Sequence, residues 1–425
     1  MTGFKKGGES LKAKIAKIKK AFSQPYFCSL LFIATIPLVP EYVAFVSLIV
    51  AFIFALKEWK AERRVVQIGA VGKLLLTFCT YQTLTCVISS HPFHSLFVSL
   101  MWWFFFVGYL IVINIVNTKR RMRVFLFLIT ITAGLVGAIA FVQYYINIAI
   151  DGNTDSLWRW LDKIIYPLVD VGIVELPYGV RAYSTFSNPN IMAKYLVMVA
   201  PFVAASNFME RRKWYKIVGR VCLVFTYIGV IYSFSRGGYL AMILLGIALV
   251  IIHLRKKFFS ILLYGATTVL LLPTAVADRL SAINKVGERQ LIWQHSFERI
   301  LESPIFGYGA GTQPTYEFLH ELNIKAAHAH NVVLQLLLEG GIIALIVMGS
   351  IGFKVIKDGI VLMLSKHTDS FWMGFGVCGF AVLFLVHGMV DYPFSTPKQV
   401  AVFIMLLGIV QQCYRLYSHK PKTAK

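Results

Sequence analysis

Apolar residues fill the chain in long runs, broken at short intervals by polar clusters. Runs centred in 24–39, 41–57, 68–89, 94–116, 122–148, 189–208, 216–234, 238–253, 257–276, 331–352, 371–391 and 399–416 suit helices crossing a hydrocarbon core about 30 Å thick. Such runs are too long for barrel strands, and a backbone inside a bilayer must satisfy its own hydrogen bonds, which leaves helices. The pattern predicts an all-α, polytopic membrane protein of about 12 transmembrane helices. Pro37 and Pro40 make the first pair a tight hairpin. A basic segment, 1–23, precedes one transmembrane domain over 24–418, and a short tail, 419–425, follows it. Two long connections interrupt the domain, 149–188 and 277–330.

Composition agrees with this reading. Of 425 residues, 57% are hydrophobic and only 15% charged. A formal net charge of +22 would suit nucleic acid, but the basic residues sit in short clusters between the apolar runs. That is the positive-inside pattern. With the N-terminus in the cytoplasm, KEWKAERR, NTKRRMR, MERRKWYKIVGR, HLRKK, 353–370 and the terminal KPKTAK all fall inside. Both termini are then cytoplasmic, and both long connections face outwards. So do two short turns, SFSRGG at 233–238 and DYPFSTPK at 391–398. The N-terminal MTGFKKGGESLKAKIAKIKK reads as an amphipathic segment on the anionic leaflet, with no cleavable signal peptide. The six cysteines show neither metal nor disulfide spacing and read as small packing residues.

The candidate chemistry gathers on the outer face. Asn188-Pro189 is a helix start, with Asn as N-cap and Pro at the first helical position. Seven residues earlier, Arg181 has no such structural explanation; its planar fork suits a phosphate or carboxylate, or a lipid headgroup. Arg236 lies in a turn where positive charge is disfavoured, and Gly237 and Gly238 let the chain turn tightly. In the large loop, 287–302 has helical periodicity, with Leu291, Ile292, Phe297, Ile300 and Leu301 on one face and Trp293 beside it. This helix suits a lid, with Arg279 and Arg289 as anion ligands and Arg299 as a weaker third. The glycine-rich GYGAGT follows no strand, so it reads as a turn, with an anion nest as the lesser alternative.

The stretch AAHAHNVVLQLLLEGG, 326–341, carries the sharpest signal. A helix starting near Asn331 places Asn331, Gln335 and Glu339 at i, i+4, i+8, one polar stripe that must face the bundle interior or a water-filled cavity. His330 sits at the helix N-terminus, where the helix dipole favours a neutral imidazole, the form a general base needs. His328 is a second loop histidine, and helix gluing is the bland reading of the stripe. His387 and Asp391 share a helix face, so Asp391 either orients a histidine, pairs with an arginine, or simply ends its helix.

Arginines and a neutral histidine on one outer surface suit transfer from a lipid-linked phosphate donor. Ser235-Arg236-Gly237, RQLIW, SPIFGYGAGT and HAHNVVLQLLLEGG together resemble the bacterial O-antigen ligase and O-antigen polymerase family, most strongly over 180–395. The resemblance implies a GT-C-like glycosyltransferase of the bacterial cytoplasmic membrane. Its donor would be an undecaprenyl-diphosphate-linked glycan, and its acceptor a glycan or glycolipid hydroxyl, as in lipopolysaccharide biosynthesis. His330 takes the place of the family's essential histidine. Arg289, and after it Arg279, match the large-loop arginine, and Arg181, with Arg236 behind it, is the second diphosphate ligand. His328, Asn331, Gln335, Glu339 and Asp391 support them. Neither a cofactor nor a metal is implied. Three alternatives stay open: a polysaccharide polymerase, a protein O-oligosaccharyltransferase of the same family, and a lipid-linked glycan transporter. A transporter should show repeats and mid-membrane helix breaks reachable from both sides.

Overall fold

The computed structural model describes residues 24–63, 65–149, 181–253 and 286–418. Within them the chain forms helices α1 (Pro25–Thr35), α2 (Glu41–Ala61), α3 (Gly69–Thr85), α4 (Pro92–Ile115), α5 (Lys119–Ala149), α6 (Pro189–Met209) and α7 (Lys213–Tyr232). Then follow α8 (Arg236–His253), α9 (Val286–Glu302), α10 (Gln313–Glu321), α11 (Val332–Met363), α12 (Thr368–Gly388) and α13 (Pro397–Tyr417). Eight of these are long and apolar enough to cross a membrane: α2, α4, α5, α6, α7, α11, α12 and α13. At 1.5 Å per residue the 11-residue α1 reaches only about 17 Å, too short to span alone. The span expected at 257–276 and the segment 1–23 lie outside the described residues.

The helix starts follow local chemistry. α1, α4, α6 and α13 open on a proline, whose missing N–H is an orphan in the first turn anyway. Asn188 caps α6 by accepting the Asn190 N–H at 2.7 Å. Asn331 caps α11 by accepting from Val333 and Leu334 at 2.9 and 3.2 Å. Both starts fall where the sequence puts them.

Packing places α6 and α13 at the centre, buried along nearly their whole length. α6 packs against α12, α7 and α5, and α12 packs against α11. α5 and α7 approach closely through small residues: a Cβ on Gly137 would sit 1.9 Å from the Phe225 carbonyl. Backbone-to-backbone approach of this kind is how helices gain dispersion contact when lipid supplies no hydrophobic drive.

α11 is two helices joined at a kink. Gly340 and Gly341 leave helical geometry there, and Gly341 takes φ 60 and ψ -161, a region only glycine visits freely. The GYGAGT loop seals the break: Tyr308 N–H donates to the Leu338 carbonyl at 2.7 Å, and Gly309 N–H to that of Glu339 at 3.0 Å. Two amides that an anion nest would need are therefore spent on the kink, and the loop is a clamp on α11.

Two expectations need correction. Gly237 and Gly238 do not form a turn; they lie inside α8. Their value is space, since a Cβ on Gly237 would meet Val390 at 2.4 Å. The left-handed residue of that turn is Phe234, at φ 53. The apolar face of α9 also divides. Ile292 and Ile300 are buried, whereas Leu291, Phe297 and Leu301 are 45%, 56% and 62% exposed.

Candidate functional site

The site forms where the N-terminus of α6, the turn before α8, the loop 325–331 and the segment after α12 meet. Its centre is a chain of charge-assisted contacts. His330 Nδ1 lies 2.9 Å from Asp391 Oδ1. The other oxygen, Oδ2, takes the ammonium of Lys194 at 2.9 Å. Lys194 is 3% exposed and sits one turn beyond Asn190 in α6, and its Nζ also donates to the Tyr392 carbonyl at 2.7 Å. Burial alone would raise the Asp391 carboxyl; Lys194 and the hydrogen bond from His330 outweigh it and hold that carboxyl well below the usual range. An ionised carboxylate only accepts, so the shared proton sits on His330 Nδ1. Nε2 is the ring nitrogen that this contact leaves unengaged.

His330 holds this pose in a left-handed backbone, φ 49, one residue before the α11 cap. Non-glycine residues at positive φ are uncommon and persist where surroundings over-determine them. Ser184 (φ 55) and Phe234 (φ 53) share this conformation, in two other segments that converge here.

His328 plays a different part. Burial, first, pushes its imidazole down to about 3, so it is neutral at physiological pH, and its Nδ1 accepts the His330 N–H at 3.3 Å. Beneath, Gln335 accepts the Ala329 N–H at 2.9 Å and donates to Glu339 at 3.0 Å. Tyr392 donates to the same Glu339 oxygen at 2.7 Å. Burial and the Glu339 carboxylate keep that phenol well above its ordinary range, so it remains a donor. Asn331, Gln335 and Glu339 are all buried. The stripe thus faces inward, as expected, and braces the loop that carries both histidines.

Above the triad opens a cavity of about 210 Å³. Arg181, Arg236, Arg289 and Lys325 line it, with Asn190, Ser235, His330, His387 and Asp391. Among the described residues Asp391 is its single acid and is already paired with Lys194, so the charge these residues bring to the cavity is cationic. Arg181 donates through Nε to the Ser233 carbonyl at 3.0 Å and through its terminal nitrogen to Asn190 Oδ1 at 2.8 Å. It ties the turn before α8 to α6. A volume below the roughly 300–1,000 Å³ of a whole-ligand pocket suits the charged, reactive end of a larger substrate.

The structure thereby brings together Arg181, Arg236, Arg289, His330 and Asp391. Arg279 lies outside the described residues. Arg299 does not line the cavity: it pairs with Glu302 and stacks 4.4 Å over the Tyr308 ring. His387 is buried, with Ser235 Oγ 3.4 Å from Nε2, and Asp391 serves His330 in its place. Asp391 pairs with a lysine, among the described residues, rather than an arginine. Lys194 and Lys325 were not singled out from sequence. A charged residue one turn into an apolar span was the available signal for Lys194.

Donor atoms of His328, His330 and Asp391 lie within 4.8 Å of one another, the spacing of a metal site. The donor set argues otherwise. Both Asp391 oxygens are engaged, and a buried ammonium 2.9 Å away repels a second cation.

Residues 221–349 match the family model described as O-Antigen ligase. This segment belongs to the O-antigen ligase family. The ligase-family segment contains Arg236, Arg289, Lys325, His328 and His330. Arg181, Lys194 and Asp391 come from outside it, so the site is completed by flanking helices. No curated protein matches the chain.

Proposed function

We propose that the protein is an O-antigen ligase-like glycosyltransferase of the bacterial cytoplasmic membrane, with its active site on the extracytoplasmic face. The observation that carries this reading is the Lys194–Asp391–His330 relay beside a cavity lined by four cationic side chains. The donor is an undecaprenyl-diphosphate-linked glycan. Arg181, Arg236 and Arg289, with Lys325 at the rim, hold its diphosphate, since guanidinium forks bind such oxyanions bidentately. The acceptor hydroxyl belongs to a glycan or glycolipid.

His330 Nε2 takes the proton of that hydroxyl. The oxygen attacks the anomeric carbon, the new C–O bond forms, and the bond to the diphosphate oxygen breaks. The leaving undecaprenyl diphosphate keeps the electron pair, and the cations stabilise its developing charge. Asp391 orients the ring and stabilises the imidazolium as it forms, and Lys194 holds Asp391 ionised.

The test is reconstitution of the purified full chain with undecaprenyl-diphosphate glycan and candidate acceptors. Release of undecaprenyl diphosphate with glycan on a glycolipid supports the ligase. A lengthened lipid-linked glycan supports the polymerase, and glycan on protein the oligosaccharyltransferase. Glycan crossing the bilayer without product would overturn the enzyme reading.

A further inference from the structure

A second cavity lies at the opposite ends of the helices that build the site. α6 carries Lys194 near its start and Met209 at its end, and the rise of 1.5 Å per residue puts these two about 22 Å apart. There, the first turns of α5, the end of α6 and the start of α7 line a cleft of about 740 Å³. The positive-inside pattern makes this the cytoplasmic face.

The chemistry of this cleft is amphiphilic. Lys119, Arg120, Arg123, Arg211 and Arg212 line it. Two of these are neutralised. Arg212 makes a two-pronged pair with Glu210, at 3.1 and 3.2 Å, and stacks 3.6 Å over the Tyr215 ring. Arg123 donates to Asp369 at 2.6 Å. The Arg120 and Arg211 guanidiniums have no hydrogen-bond or ion-pair partner among the described residues, and Lys119 has only the Tyr417 ring, at 4.9 Å. Three positive charges thus face one cavity whose acid among the described residues, Glu210, is taken up by Arg212. Beside Ser206, Glu210 and Tyr215, part of its wall is apolar, from Val124, Leu126, Phe127 and Met209. The N-termini of α5 and α7 add their positive dipole ends.

We infer that this cleft binds the phosphate headgroup of an anionic phospholipid from the cytoplasmic leaflet. The phosphate sits between Arg120 and Arg211, and the first part of the acyl chains lies against Leu126 and Phe127. Basic pockets between helix ends at this face recognise phosphate headgroups by this combination of charge and apolar contact. A basic cluster serving topology alone would need neither the cavity nor the apolar wall.

The experiment titrates the purified full chain in detergent with phosphatidylglycerol, phosphatidylcholine or soluble glycerol phosphate, and reads bound lipid by native mass spectrometry and the apparent Tm. Phosphatidylglycerol should be retained and raise the Tm; phosphatidylcholine and glycerol phosphate should not. Arg120→Gln with Arg211→Gln should weaken phosphatidylglycerol binding about 30-fold. Lys57→Gln with Lys60→Gln removes equal charge at the end of α2 and should leave binding unchanged. Both pairs are on the surface and should keep the lipid-free Tm. Equal loss in the two pairs would reduce the effect to general surface charge and overturn the site. Glycerol phosphate binding as tightly as the lipid would assign the cleft to a soluble phosphate and overturn the lipid reading.

Discussion

Replacing Lys194 by Met and Asp391 by Asn, singly and together, separates the structural from the chemical role of the buried pair. At 2.9 Å and an effective dielectric near 20 the two charges attract by about 6 kcal/mol before desolvation is counted. Removing one partner leaves the other charged and buried, which costs about 3–5 kcal/mol. Lys194→Met and Asp391→Asn should each lose that much. The double variant holds no stranded charge, and Met keeps most of the lysine volume, so it should lose far less than the sum. The coupling should be at least about 3 kcal/mol, read from unfolding of the purified variants in a double-mutant cycle. Activity should behave differently. Without the carboxylate, His330 loses its tautomer control and the stabilisation of its protonated form. Transfer should fall about 10²–10⁴-fold in Asp391→Asn and stay there in the double variant. Additive stability losses would refute the buried pair. Transfer restored in the stable double variant would refute the relay.

Three further outcomes are expected. Lowering the pH from 7 to 5 should destabilise the protein, because a folded-state pKa of about 3 for His328 against 6.5 unfolded means that the unfolded chain gains the proton first. That costs about 2 kcal/mol over the interval, adds to the acid loss from Asp391 as pH falls below 4, and should shrink in His328→Gln when unfolding is followed against pH. Arg289→Ala should weaken donor binding about 10–100-fold in a direct binding assay, with Arg289→Lys a poor rescue because an ammonium cannot replace the fork. Gly341→Ala should lower the Tm, since its Cβ would lie 2.1 Å from the Ile305 carbonyl at a backbone angle alanine resists, whereas Gly349→Ala has open space and should be neutral or stabilising.

The apolar runs, the caps at Asn188 and Asn331 and the inward stripe of α11 were legible because hydropathy, capping and i, i+4 spacing are local signals. That Arg181, Arg236 and Arg289 line one cavity could be anticipated because each lies between apolar runs, outside the basic clusters. Lys194 was not, since its meaning depends on Asp391, which reaches it only through packing of α6 against the segment after α12. Which part of the apolar face of α9 is buried was not legible, for a physical reason. Apolar side chains at Leu291, Phe297 and Leu301 satisfy either a protein core or a bilayer, and periodicity does not distinguish the two. The Gly237-Gly238 pair was ambiguous in the same way, because glycine marks tight turns and close helix packing alike.

The role of His330 as the base is tested most directly by His330→Ala in purified full-length protein supplied with undecaprenyl-diphosphate glycan and its acceptor. Transfer should fall by about 10²–10⁴-fold while donor binding stays close to wild type, because the cationic side chains that hold the diphosphate are untouched. Transfer at the wild-type rate in that variant, with donor binding intact, would contradict the account.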